Sequence, residues 1–292
     1  MAQAISTSSD SYGGLEVRPM TDLDRAASQV DPGQRSRYRQ DLGAGGLLDA
    51  ALLRQESDTL VVTFHGALDR ERFQIPRFER ARSTEPYGTS CLYWSDPSLW
   101  LDPKLKLAWF TGTAEVDLFA ILADRSMTVA SQIGATRVVF TGSSGGGFAA
   151  LQTAALVPHS AALVFNPQTA IYSYLTSVQR RYLLNCRADV LEGRPMERFS
   201  FEEDWSERLG DRYSAVRRYE SFRENKVIYY SNALDWHDEK HLVPFEEAVT
   251  RNGSAELTVH RYEQAGGHQP PSSEQFSLGL KQALNIADHG SL

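Results

Sequence analysis

The 292-residue sequence has few cysteines, no long basic run and no uninterrupted apolar segment long enough to cross a bilayer. Its two cysteines, Cys91 and Cys186, are too few for a disulfide framework, and each lies in or beside an apolar segment. We interpret both as buried thiols, which favours a reducing compartment. The missing basic run argues against a nucleic-acid partner, and the missing spanning segment argues against a membrane partner.

The N-terminus also lacks a basic region followed by an apolar core, which is the pattern of a secretory leader. We therefore expect a cytoplasmic protein. Residues 1–14 are small and polar and are predicted to be disordered. A hydrophobic fraction of 41% and a net charge of −7 are typical of a globular protein, so we expect residues 15–292 to form one domain.

From residue 59 onward, short β-branched and apolar segments alternate with segments of helical periodicity. Strands are predicted at 59–64, 90–94, 137–141, 161–165, 226–230 and 256–262, and helices at 115–133, 148–156, 172–184, 237–251 and 273–287. Alternation of this kind predicts an α/β fold, doubly wound, with a mostly parallel sheet and helices on both faces. Residues 47–53 fit a strand or a helix equally well. Residues 186–225 break the alternation and are predicted to be a helical, cap-like insertion.

A glycine-rich turn joins the third of these strands to a helix. Its sequence, Gly142-Ser143-Ser144-Gly145-Gly146, matches G-x-S-x-G with Ser144 at the centre. The glycines permit a sharp turn and close backbone packing, and the Gly145 amide can face a developing oxyanion. Ser144 is the predicted nucleophile, and Ser143 is the local alternative. A phosphate loop fits less well, because the Gly-Lys-Ser/Thr and G-x-G-x-x-G patterns are absent.

The motif and its strand–turn–helix context resemble the nucleophile elbow of the α/β-hydrolase superfamily, and the resemblance covers residues 59–287. It implies the α/β-hydrolase fold and the chain order serine, acid, histidine. Asp235, in the turn after the strand at 226–230, fits the acid. A helix N-cap is its structural explanation, and Asp238 and Glu239 are alternative acids. His268, in a glycine-flanked loop after the last strand, fits the general base.

Other histidines fit structural or surface roles. His159, His260 and His289 lie in a loop, a strand and a polar tail. His237 and His241 have the i, i+4 spacing of a zinc pair, but an aspartate follows the first histidine and no third ligand is evident. We therefore predict no metal, and we expect His241 to pack against the Asp235 turn or to orient it.

The resemblance also implies an oxyanion hole. His65-Gly66-Ala67 follows the strand at 59–64, where the family shapes the second half of that hole. The predicted donors are the amides of Ala67 and Gly145. An ordinary strand-to-loop turn is the alternative explanation of His65-Gly66.

Four residues are predicted to contact the substrate: His65, Arg70, Asn166 and Gln168. Arg70 follows the oxyanion loop, although ion pairs on a solvated face explain the nearby arginines equally well. Asn166 and Gln168 follow the strand at 161–165 and carry side-chain amides. This stretch has a weaker likeness to α/β-hydrolase-like proteins associated with polysaccharides. The polar insertion and the mean hydropathy of −0.38 favour a polar ester, on a glycan or a small metabolite, over a lipid.

The sequence thus predicts a serine esterase that forms an acyl-enzyme and uses no metal or organic cofactor. An acyltransferase with the same triad is one alternative, since water and an alcohol can both accept an acyl group. A noncatalytic binding protein with the α/β-hydrolase fold is another. The sequence does not predict the oligomeric state.

Overall fold

A computed structural model describes residues 10–287, and one sheet of nine strands runs through this part of the chain. The strands are β1 (Val17–Pro19), β2 (Arg35–Asp41), β3 (Leu47–Leu53), β4 (Thr59–Phe64), β5 (Ser90–Ser95), β6 (Arg137–Ser143), β7 (Ala161–Phe165), β8 (Lys226–Asn232) and β9 (Glu256–Tyr262). Their spatial order is β1-β2-β3-β5-β4-β6-β7-β8-β9. Only β3 is antiparallel to its neighbours, β2 and β5, and the other pairs in this sheet are parallel.

Helices cover both faces of the sheet. They are α1 (Asp10–Gly13), α2 (Met20–Ala26), α3 (Ala81–Thr84), α4 (Leu118–Ile133), α5 (Gly145–Ala154), α6 (Thr176–Cys186), α7 (Ala215–Arg218), α8 (Val243–Asn252) and α9 (Ser273–Ala287). The core side chains of α2, α4, α5 and α8 pack in one cluster, and those of α1, α3 and α9 pack in a second. Within residues 10–287, no helix has both the length and the apolarity that a membrane span requires.

Burial on both faces explains the composition of the central strands. Every residue of β4 and β7 is buried, because helices pack above and below them. A strand that is buried on both faces has a continuous apolar sequence, which is easy to recognise. The predicted bounds of β4 and β7 are confirmed. The ambiguous segment at 47–53 is β3. Cys91 and Cys186 are buried free thiols, as predicted.

The sequence analysis did not find β1, β2 or α2. In β2 the one apolar side chain is Tyr38, and five of the other six residues are charged or carry an amide. This strand pairs with β3 through its backbone, so its side-chain pattern carries little signal.

Residues 1–9, and His289, lie outside the described residues. From Asp10 onward the predicted disorder does not hold, because α1 buries Tyr12 against Phe78 and Tyr93.

The excursion between β7 and β8 differs from the predicted helical insertion. Over residues 186–225 the chain forms mainly single 3-10 turns, and α6 precedes them while the short α7 comes near their end. Aromatic rings hold the segment together, since Trp205 contacts both Tyr182 and Tyr213. Tyr182 in turn packs edge-on against Trp109, with ring centroids 5.4 Å apart. Through Tyr182, this segment between β7 and β8 is therefore packed against Trp109.

Helix α5 lies unusually close to the sheet. A Cβ atom added at Gly146 would be 2.3 Å from the carbonyl oxygen of Phe64, and one added at Gly142 would be 2.3 Å from the carbonyl carbon of Gly146. Both obstacles are backbone atoms, so no side chain can move aside. Glycine at these positions allows β6 to turn directly into α5.

We expect Gly146→Ala to lower the free energy of unfolding by about 3 kcal/mol, because the added methyl group forces α5 away from β4. Gly14→Ala is the matched control, since nothing lies within 4 Å of a Cβ atom there. Urea unfolding of both variants measures the difference. Equal stability of the two would show that α5 is not packed as described.

Candidate active site

Ser144 lies in the turn between β6 and α5, in a strained backbone conformation. Its φ is 55° and its ψ is −123°, a region that side-chain-bearing residues seldom occupy. The Ser144 amide donates to the carbonyl of Phe165 at 3.0 Å, and its carbonyl accepts from the amides of Phe148 and Gln168. These bonds hold the turn and raise the Ser144 side chain above the carboxyl edge of the sheet.

The structure brings the three predicted residues Ser144, His268 and Asp235 together. His268, in the loop between β9 and α9, has Nε2 2.9 Å from Ser144 Oγ. Its Nδ1 is 2.7 Å from Oδ2 of Asp235, which follows β8. These residues follow β6, β8 and β9, which lie within four adjacent strands of the sheet, β6-β7-β8-β9, so residues far apart in sequence meet at one edge.

Asp235 is buried, with 3% of its surface exposed. Burial raises the pKa of its carboxyl group, but the hydrogen bonds from His268 and His237 outweigh burial, and the net pKa is lowered. Its Oδ1 also accepts from the backbone amide of His237 at 3.1 Å, so Asp235 makes a local turn bond in addition to its bond with His268. Of the alternative acids, Asp238 pairs with Arg261 and Glu239 is exposed.

His237 also belongs to this site, a role that was not predicted from the sequence. Its ring stacks on that of His268 with centroids 3.8 Å apart and an angle of 12° between the planes. Its Nδ1 lies 3.0 Å from Asp235 Oδ1. Burial and the neighbouring His268 lower the pKa of His237 to about 4, although Asp235 opposes the shift. The only signal in the sequence was its place two residues after Asp235, which alone does not predict a ring stack.

His241 packs beside Trp236 and His237, which directly follow Asp235, with ring centroids 5.6 and 4.9 Å apart. Its Nδ1 accepts from the amide of Thr169 at 3.2 Å. Burial, together with His237 and His268, lowers its pKa well below the ordinary value. The ring is therefore neutral, and it links the segment after β8 to the segment after β7.

Asp235, His237 and His268 bring ligand atoms within 4.8 Å of one another, so they are the one group among residues 10–287 with the composition of a metal site. The two rings are nearly parallel, however, and both Nδ1 atoms are bonded to the carboxylate. Parallel rings direct their nitrogens side by side and not toward one point. This arrangement fits a hydrogen-bonded cluster better than a tetrahedral metal site.

Asn166 and Gln168 are buried and use their side chains inside the protein. Asn166 Nδ2 donates to Tyr262 Oη at 2.8 Å and to the Gln269 carbonyl at 3.3 Å, and Asn166 Oδ1 accepts from the amide of Asn232. Gln168 Nε2 lies 2.8 Å from Ser144 Oγ. The structure therefore places both beneath the site, where they support it, and not on the surface that a substrate would touch.

His65 is also buried, with 2% of its surface exposed. Its Nδ1 donates to the Gly66 carbonyl at 2.8 Å, and its Nε2 accepts from the Asp96 amide at 3.0 Å. Burial lowers its pKa to about 4, so the ring is neutral. The ring thus links the turn that carries Ala67, a predicted oxyanion donor, to Asp96 just after the end of β5. Arg70 donates to the carbonyls of Leu99 and Leu105 and thereby holds the segment 99–105.

The predicted oxyanion donors lie on either side of Ser144. Ala67 is exposed beside the site, and Gly66 packs so closely that a Cβ atom there would be 3.0 Å from the Ser143 carbonyl. Gly145 is the first residue of α5, where an amide has no acceptor within the helix. Amides at such a helix start can stabilise a negative charge.

A cleft of about 300 Å³ opens over Ser144. Ser143, Gly66 and Ala67 lie in its wall with His268. Charged and aromatic side chains surround it, together with Gln269 and Pro270: Arg77, Glu79, Arg80, Phe73 and Tyr174. Space for a ligand therefore adjoins both Ser144 and Ala67, the residue of one predicted donor amide.

We expect His65 to make stability depend on pH. The folded protein keeps this ring neutral, whereas the unfolded chain protonates it near pH 6.5, so the unfolded state binds more protons between pH 6.5 and about 4. As pH falls through this window, His65 lowers the free energy of unfolding by about 1.4 kcal/mol per pH unit. Urea unfolding of the wild type and of His65→Gln measures the difference in slope. Parallel slopes would contradict a neutral, buried His65.

Comparisons with known proteins bear on the fold. No protein-family model matches the chain, and no curated protein matches its sequence. Among solved structures, the capsule O-acetyltransferase of Neisseria meningitidis serogroup A has a TM-score of 0.58 at 10% identity, covering 86% of this chain and 94% of that one. Acetyl xylan esterase 1 from a Thermoanaerobacterium species has a TM-score of 0.57 at 15% identity, covering 94% and 96%.

A glycosylation-associated protein complex from Streptococcus agalactiae is similar over 86% of this chain and 46% of that one, with a TM-score of 0.59 at 17% identity. Peptidases with the same core are also among the similar structures. These likenesses confirm the fold that the sequence predicted. The chain has an α/β-hydrolase-like fold. The capsule O-acetyltransferase and the acetyl xylan esterase are similar to it in this fold.

Proposed function

We propose that the protein is a serine hydrolase that cleaves an acyl ester of a polar substrate. Ser144 is the nucleophile, His268 is the general base and Asp235 orients the histidine. The observation that carries this proposal is the unbroken line of hydrogen bonds from Ser144 Oγ through both ring nitrogens of His268 to a buried carboxylate. This line begins at a strained serine at the start of a helix, where a nucleophile is exposed to substrate.

In the first half of the proposed reaction, Ser144 Oγ attacks the acyl carbonyl carbon while His268 Nε2 takes the hydroxyl proton. The carbonyl oxygen becomes negative and accepts from the amides of Ala67 and Gly145. The tetrahedral intermediate then expels the alcohol, which receives the proton from His268. An acyl-enzyme on Ser144 remains, and Asp235 has stabilised the imidazolium throughout without taking its proton.

In the second half, His268 removes a proton from water, the hydroxyl oxygen attacks the acyl carbon, and Ser144 leaves with that proton. An alcohol in place of water gives acyl transfer by the same steps. The likeness to a capsule O-acetyltransferase favours this as the second candidate function. Product analysis with a sugar alcohol present distinguishes the two, because only transfer gives a new ester.

The cleft suggests which substrates fit. Its volume of about 300 Å³ is at the small end for a ligand site, so a short acyl group fits better than a long chain. Arg77 forms two hydrogen bonds with Glu79 in its wall, and Arg80 donates to the carbonyl of Pro271. Charged groups at the rim favour an alcohol that carries hydroxyl or other polar groups, such as a sugar.

We expect a fluorophosphonate probe to label the wild type and not Ser144→Ala, because the probe reacts with an activated serine hydroxyl. Mass spectrometry of the labelled peptide identifies the modified residue. Ser143→Ala tests the neighbouring serine and should still be labelled. Absence of labelling in the wild type would overturn the proposed function and favour a noncatalytic binding protein.

We also expect activity to decrease as the acyl chain of the ester becomes longer. For p-nitrophenyl esters, kcat/KM should fall at least about tenfold from acetate to octanoate, since the cleft lacks room to bury the longer chain. Butyrate should lie between them. Initial rates at matched concentrations below the micellar range measure this order. A preference for octanoate would contradict a short-chain site.

A further inference from the structure

Five groups of the site form a closed ring of hydrogen bonds. One arm runs from Asp235 Oδ2 to His268 Nδ1 at 2.7 Å and from His268 Nε2 to Ser144 Oγ at 2.9 Å. The other arm runs from Asp235 Oδ1 to His237 Nδ1 at 3.0 Å and from His237 Nε2 to Gln168 Nε2 at 2.9 Å. Gln168 Nε2 closes the ring on Ser144 Oγ at 2.8 Å.

Donor and acceptor chemistry assigns the direction of the hydrogen bonds of Gln168 and of Asp235. The indole of Trp109 is only a donor, and its Nε1 lies 3.1 Å from Gln168 Oε1, so the other end of the Gln168 amide is the NH₂ group. That group has two hydrogens, one for Ser144 Oγ and one for His237 Nε2. An ionised carboxylate only accepts, so both rings donate to it from Nδ1.

The direction of the Ser144 hydroxyl follows from this assignment. When the His268 ring is neutral, its proton lies on Nδ1 against Asp235, and because Gln168 donates to Oγ, the hydroxyl hydrogen of Ser144 points at His268 Nε2. Gln168 thus orients the hydroxyl in the direction that proton transfer requires. His237 is held as the neutral Nδ1–H tautomer between the carboxylate and Gln168.

We propose that Gln168 is a further catalytic residue, which donates a hydrogen bond to the Ser144 oxygen as that oxygen loses its proton, and that His237 is a positioning residue for Asp235 and Gln168. This proposal rests on the proposed function, because it assigns these roles to the same serine. No proton leaves Gln168. The proton moves from Ser144 Oγ to His268 Nε2, and the amide N–H of Gln168 stays bonded to Oγ, which carries partial negative charge until its bond to the acyl carbon is complete.

Exposure separates this role from substrate binding. Gln168 is 0% exposed and His237 is 1% exposed, and neither lines the cleft over Ser144. Both hydrogens of the Gln168 amide are engaged, by Ser144 and His237, and its oxygen accepts from Trp109. Loss of the amide should therefore affect the reactivity of Ser144 and leave the affinity for substrate nearly unchanged.

The second arm also limits the two stacked histidines to one positive charge. Buried His237 accepts from Gln168 and has a pKa of about 4, so it remains neutral when His268 becomes an imidazolium. Asp235 then stabilises one cation and not two. The stacked rings are 3.8 Å apart, a distance at which two positive charges would repel strongly.

The kinetic test compares the wild type with Gln168→Met, which keeps the length of the side chain and removes the donor. We expect roughly 10- to 100-fold lower kcat for p-nitrophenyl acetate and an equal slowing of fluorophosphonate labelling, with KM within about twofold. Gln152→Met is the matched control. Gln152 is a buried glutamine of α5 that bonds to the carbonyl of Asp211, away from the ring, and its variant should keep the wild-type rate.

Thermal unfolding checks that each variant is folded, and Gln168→Glu is a second variant of the same size whose carboxylate donates no hydrogen bond. Wild-type labelling rates in folded Gln168 variants would overturn the proposal. So would a higher KM at unchanged kcat, since that pattern identifies a substrate contact.

A second measurement does not depend on activity. Long-range ¹H–¹⁵N spectra at neutral pH should show His237 as the neutral Nδ1–H tautomer, with its signals assigned from their loss in His237→Asn. In Gln168→Met the Nδ1–H tautomer should persist, because Asp235 still accepts from Nδ1, but the Nε2 resonance should shift, because nothing then donates to Nε2. An Nε2–H tautomer in the wild type would overturn the proposed ring. If the wild type is not labelled but this tautomer is present, the proposed function fails while the ring stands.

Discussion

The carboxylate of Asp235 is removed from water and has three donors, the ring nitrogens of His268 and His237 and the backbone amide of His237. An unpaired carboxylate at this depth would cost several kcal/mol, so the folded chain must bring these donors to it. The requirement fixes the loops after β8 and β9 relative to each other. The His268 ring then has one orientation, with its second nitrogen directed at Ser144.

The sheet makes this meeting possible. Parallel strands end at a common edge, and the loops that follow β4, β6, β7, β8 and β9 all reach it. These loops carry Gly66, Ser144, Gln168, Asp235 and His268 in that order. The close packing of α5 on the strands sets the height of Ser144, and the buried residues after β7 support it from below. Stability and chemistry therefore use the same contacts, since the bonds that satisfy buried polar groups also orient the proposed nucleophile.

The sequence analysis succeeded where the signal is local. Strands β4, β7 and β9 and helix α9 have the predicted bounds. β4 and β7 are fully buried apolar segments, α9 is amphipathic, and β9 is half-buried and begins with alternating polar and apolar residues. It failed at β2, where pairing through the backbone leaves the side chains polar. It also read His237 and His241 as an i, i+4 pair on a helix. The chain there begins with a wide π turn at Asp238–Leu242, and His237 faces the Asp235 carboxylate and the His268 ring.

The sequence by itself determined the alternating α/β architecture, the glycine turn at Ser144, and the order in which Ser144, Asp235 and His268 occur. Each of these depends on neighbours in the chain or on a known order of elements. Only the tertiary structure decided that Gln168 lies under the serine and that His237 shares a carboxylate with His268. Those contacts join segments separated by 24, 69 and 33 residues. Hydrogen-bond partners across such distances are set by how the sheet gathers its loops, and no local pattern in the sequence encodes them.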